Sequence, residues 1–88
     1  MAYESVTVDN TVGGVGLTAA TYGRATKAFL TLEDAQIRFT KDGTTVTTSV
    51  GHLLQVGQTV DLEDQFEIIN FRAIKTGKSS GKLKVTYK

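Results

Sequence analysis

His52, the hydroxyls of Thr48 and Ser49, and two acidic pairs are the residues of this 88-residue chain whose types could do chemistry. His52 is the sole histidine and lies in TSVGHLLQVGQTVDL, held between two Val-Gly pairs. General base catalysis needs a nucleophile to deprotonate and usually a carboxylate to orient the ring. Neither Thr48 nor Ser49 sits in a nucleophile-elbow pattern, and Asp61 or Glu63 would reach the imidazole only through the fold. A metal site needs two or three further ligands, and a chain with no cysteine and scattered carboxylates supplies a poor set. The pattern therefore predicts a corner: Gly51 and Gly57 bend the chain and the His52 ring hydrogen-bonds backbone around the bend. No catalytic residue, cofactor or metal ligand is expected.

The acidic pairs, Glu33-Asp34 in LEDAQ and Glu63-Asp64 with Glu67 in LEDQFE, admit a calcium site or a glycosidase acid and base in principle. They lack the dense oxygen spacing of a calcium loop. Short acidic side chains suit turns, so each pair is expected to close one strand and open the next. GGVG at 13–16 is too short for a phosphate-cradling loop and no helix or lysine follows it.

These residues must be positioned by strands. In KAFLTLED, Ala28, Leu30 and Leu32 share one face. In AQIRFTK, Ala35, Ile37 and Phe39 do so, in TVDLE Val60 and Leu62, and in KLKVTYK Leu83, Val85 and Tyr87 stand opposite Lys82, Lys84, Thr86 and Lys88. Fourteen threonines and nine valines suit a pleated surface. The best helical window, LTAATYGRATKAF, is broken by Gly23 and reads as loop into strand. Asp42-Gly43 in KDGT is the strongest hairpin signal. Strands are expected near 4–9, 14–18, 27–33, 35–41, 44–48, 58–63, 67–74 and 82–87. The fold class that follows is all-β, one domain over 1–88: a small antiparallel β-sandwich, jelly-roll-like or Greek-key, of seven to eight short strands.

Charge is laid out unevenly. Residues 1–70 carry nine acids against four basic residues, and residues 71–88 carry six basic residues and no acid, within a net charge of +1. The tail lacks the interleaved aromatics that stack bases, which argues against nucleic acid. Its lysines read first as a solvated strand edge that discourages pairing, and second as the basic half of a contact between subunits. No run approaches the roughly 18 apolar residues of a membrane helix, and MAYESVTVDN lacks the form of a signal peptide, so no membrane partner is expected.

From Ala35 to Tyr87 the motifs run AQIRF, DGTT, VGHLL, VGQTVDL, FRAI and LKVTY. In this order they resemble a family of small all-β proteins encoded among the virion structural genes of tailed bacteriophages. The N-terminal third is only loosely alike, Val46-Thr47 stands where Pro-Thr is usual, and Gln58 follows Gly57 where Asp is common. The resemblance implies a non-enzymatic virion structural protein, made in the host cytoplasm and located in the virion. It would bind itself as a homo-oligomer and other virion proteins of capsid or tail, as a head decoration or head–tail subunit. Arg38 and Arg72 point away from the apolar faces of their strands and, with Lys82, Lys84 and Lys88, are the candidate interface. The two arginines are expected to pair with Asp42, Asp61 or Glu67, or to clamp a neighbour's carboxylate. The alternative is a carbohydrate-binding β-sandwich that adheres to a cell-surface glycan. It needs an exposed aromatic platform, and the chain has no Trp and three Tyr.

Overall fold

A computed structural model describes residues 2–88. The order is β1 (Ala2–Val8), α1 (Ala19–Tyr22), β2 (Ala28–Glu33), β3 (Ile37–Thr40), β4 (His52–Leu54), β5 (Thr59–Leu62), α2 (Gln65–Asn70), β6 (Arg72–Lys75) and β7 (Gly81–Tyr87). Two antiparallel sheets form an all-β sandwich, one ordered β1-β7-β2-β5 and the other β4-β3-β6. The period-two segments build the larger sheet. Ala28, Leu30, Leu32, Val60, Leu62, Leu83, Val85 and Tyr87 are buried in its inner face, and Ile37, Phe39, Leu54 and Ala73 meet them from the other sheet.

Several expected strands differ from this. The segment 14–18 contributes a single bridge, Val15 to Ala73, because Gly13 and Gly14 take φ of 85° and 89° just before it. No strand occupies 44–48. Asp42 and Gly43 do turn, with Asp42 Oδ1 accepting from Thr44 N–H at 3.0 Å and Gly43 at φ 91°, but they do not join two strands. The partner of β3 is β4, which begins at His52, the residue expected at a corner. The hairpin loop is therefore residues 41–51.

Two short helices also replace expected strand or loop. α1 is one turn, ended by Gly23, whose N–H donates to Ala19 O at 3.0 Å. α2 takes the front of the segment 67–74. Asp64 caps it by accepting from Glu67 N–H at 2.9 Å, and Glu67 Oε1 accepts from Glu63 N–H at 2.8 Å. The first bond satisfies a donor that a helix start leaves open, and the second ties the helix to the residue that follows β5. The other acidic pair behaves as expected: Glu33 ends β2 and Asp34 turns the chain toward β3. Asp34 does so at φ 77°, with Ala35 N–H donating to Glu33 O at 3.0 Å, a tight and strained turn for a non-glycine residue.

Candidate functional site: two clefts beside His52 and the outer sheet faces

His52 opens β4 and is exposed, so it stands in a strand and not at the expected corner. Its ring tilts against Phe39, the residue opposite it in the register, at a centroid distance of 5.5 Å. Among the described residues its ring makes no hydrogen bond to backbone, which corrects the expected bend-spanning contact. The bends belong to its neighbours. Gly51 has φ 127° and faces Val46 and the Phe39 carbonyl so closely that a Cβ would stand 2.9 Å and 3.0 Å from them. Gly57 has φ 90° in the Gln55–Gln58 turn, closed by Gln58 N–H donating to Gln55 O at 3.0 Å. Gln58 also accepts through Oε1 from Gln55 N–H at 2.8 Å, so its side chain reinforces the turn.

The imidazole forms the ridge between two clefts. One, of about 440 Å³, is lined by Lys41, Asp42, Val50, His52, Asp64, Phe66 and Glu67. The other, of about 620 Å³, is lined by Phe39, His52, Leu53, Leu54 and Val60. In the first, the Thr44 backbone N–H and hydroxyl hold the Asp42 carboxyl below its usual range, with a smaller contribution from His52. Lys41 Nζ approaches Glu67 Oε2 at 3.6 Å, the one ion pair among the described residues. No nucleophile is bonded to His52 there. Among the described residues no three of His, Asp and Glu converge to hold a metal ion. The cleft instead offers apolar surface, with Phe66 60% and Val50 44% exposed; Ile69, outside its lining, is exposed one turn along α2 from Phe66, and Ile68 anchors the helix in the core.

The five cationic interface candidates do not gather. Arg38 and Arg72 lie on the outer face of the smaller sheet, and neither pairs with an acid. Arg38 donates through Nε to Thr48 O and through a terminal nitrogen to Gly51 O, both at 3.0 Å, fastening the 41–51 loop. Arg72 donates to Ile69 O at 3.1 Å and Phe71 O at 2.6 Å. Its guanidinium also lies over Gly16, where a Cβ would be 2.7 Å away. Arg38 satisfies carbonyls of irregular backbone and Arg72 those at the C-terminal end of α2, needs that a sequence does not display.

Lys82 and Lys84 lie on the outer face of the larger sheet, on β7. That strand is central, flanked by β1 and β2, so its lysines guard no edge. Lys82 is opposite Glu33, and Lys84 is opposite Ser5 and Thr31, donating to Ser5 Oγ at 3.2 Å. Lys88 follows β7, its backbone exchanging bonds of 2.9 Å and 3.2 Å with Lys27. One further row of this face carries a feature absent from the sequence reading. Tyr3, Thr86, Phe29 and Asp61 stand side by side on the four strands, and Tyr3 and Phe29 are 60% and 45% exposed.

On the inner side of the same sheet, the Tyr87 hydroxyl donates to Glu4 Oε2, which also accepts from Thr18 N–H at 3.2 Å. Burial first, then the Glu4 bond and charge, raises the Tyr87 phenol well above its usual range. Among the described residues no helix is long and apolar enough to cross a membrane. Compared with family models, curated proteins and solved structures, the chain matches none.

Proposed function

We propose that this protein is a non-enzymatic structural subunit of a tailed-bacteriophage virion, binding its own copies and capsid or tail proteins as a head decoration or head–tail subunit. The order of six motifs between Ala35 and Tyr87 supports the virion assignment. The observation that carries the binding role is the pair of exposed apolar side chains Phe66 and Val50 lining one cleft, with exposed Ile69 one turn further along α2. Exposed apolar groups rimmed by charge mark protein contacts, and here Asp42, Asp64 and the Lys41–Glu67 pair supply the rim of the cleft.

The test uses virions of the encoding phage and the purified chain. Mass spectrometry should find the chain in washed virions, and electron microscopy should place it on the head or at the head–tail junction. Phe66→Ser with Ile69→Ser should leave the melting temperature within a few degrees, because both side chains are exposed, and should abolish rebinding to depleted particles. Virions that lack the chain, or rebinding indifferent to the double change, would reject the reading.

A further inference from the structure

The outer face of the larger sheet lies apart from the assembly end around Phe66. Strands in a sheet are about 4.8 Å apart, so Tyr3 and Phe29, two strands apart in one row, stand about 10 Å from each other with Thr86 between them. The next row along the sheet is Ser5, Lys84, Thr31 and Thr59. Two exposed aromatic groups thus border a strip of hydroxyls with one ammonium in its middle.

Three features select an occupant. The first is charge: Lys82 and Lys84 are offset on this face by Glu33 and Asp61, and beside Phe29 and Thr86 Lys27 and Lys88 stand with Glu63, so both signs are mixed and it matches neither a polyanion nor a polycation. The second is area. Four strands at this spacing, read over three rows, present about 400 Å², half of the roughly 800 Å² per partner that a stable protein pair buries. The third is chemistry. Aromatic rings combine large apolar area with little conformational freedom, and hydroxyls both donate and accept. A pyranose has the matching pair of surfaces, C–H faces for the rings and hydroxyl edges for Thr, Ser and Lys.

We infer that this face binds a linear, uncharged polysaccharide, with Tyr3 and Phe29 stacking on two of its sugar rings and Thr86, Thr31, Ser5 and Lys84 bonding its hydroxyls. The inference goes beyond the assembly role and does not depend on it. A virion subunit with this face outward would hold the particle against a glycan coat while the Phe66 end stays bound to its neighbours.

The test is affinity electrophoresis of the full chain in gels containing an uncharged β-1,4-glucan, an uncharged β-1,3-glucan, a mannan or polygalacturonate. Retardation by at least one uncharged polymer is expected, unchanged by 0.5 M salt on the order expected for unscreened contacts. Tyr3→Ala and Phe29→Ala should each weaken it about tenfold. Tyr3→Leu and Phe29→Leu keep apolar bulk without the ring, and should weaken binding while leaving the melting temperature unchanged. Retardation by polygalacturonate alone, no retardation by any uncharged polymer, or retardation indifferent to the ring substitutions would overturn the inference. So would sedimentation showing a dimer that Tyr3→Ala dissolves, since a second copy would then own the face. Particle rebinding through Phe66 reads the assembly role separately, so either can fail alone.

Discussion

The two sheets of this protein are held by different means. The larger one is regular: β1 and β7 pair over all seven residues of each strand, and inner and outer side chains alternate without interruption along β7. The smaller one has strands of three and four residues and depends on what wraps around it. Its β6 edge is paired by Val15 and by Asp9, whose carbonyl accepts from Lys75 N–H at 3.0 Å. Its loop is fastened by Arg38, and Val46, 1% exposed, sits where neither Gly14 nor Gly51 could carry a side chain. A sheet made of local alternation tolerates loss of single surface groups. A sheet made of loop closures concentrates its stability in a few positions that look unremarkable in the chain.

The largest expected effect breaks the closure of the smaller sheet. Gly51→Ala both strains a positive φ and drives a Cβ against Val46 and the Phe39 carbonyl, so it should cost about 1–3 kcal/mol in chemical denaturation. Gly57→Ala carries the same backbone strain with nothing within 4 Å of the added carbon, and should cost about 1 kcal/mol or less. Equal losses would mean that the close approach under the loop contributes nothing.

A smaller effect belongs to the larger sheet. Tyr87→Phe removes the bond to Glu4 and should cost about 1 kcal/mol at neutral pH. Its sharper signature is the pH dependence. Because the folded phenol titrates above its ordinary value of about 10, its contribution is present below that pH and is lost as pH rises and the unfolded chain ionises. Wild type should therefore lose stability faster than Tyr87→Phe above about pH 10, in denaturation series at stepped pH. Parallel curves would place the hydroxyl in water.

The smallest effect is at His52. With an exposed ring whose contact is the face of Phe39, His52→Ala should cost less than about 1 kcal/mol, well below Gly51→Ala one position away. A loss exceeding that of Gly51→Ala would show that the ring, not the glycine, shapes this part of the smaller sheet.

Much of this contrast was legible beforehand. Alternation identified β2, β5 and β7 and most of their buried residues, since period two is a local property of a strand with one wet face. α2, expected as turn and strand, also carries a local signal: Asp64-Gln65-Phe66-Glu67 has the acid-x-x-Glu spacing of a helix start, followed by Ile68 and Ile69. β4 was not legible, because His52–Leu54 is three residues with exposed His52 and Leu53 and shows no period at all.

The sequence by itself determined the all-β class, the inner face of the larger sheet, the bends at Gly43, Gly51 and Gly57 and the acidic turn after β2, because each follows from side chains within a few residues of one another. Only the tertiary structure decided the rest. It placed β7 in the centre of its sheet, where Glu33 lies opposite Lys82, so a chain whose charge is split end from end folds with both signs on one face. It drew Arg38 to carbonyls of the 41–51 loop and Arg72 to those of Ile69 and Phe71 at the end of α2, and brought Tyr3 and Phe29 into one row across β7. Such neighbours are set by strand order and register, and these depend on which faces and loops can be buried together, a property of the whole chain that no local spacing records.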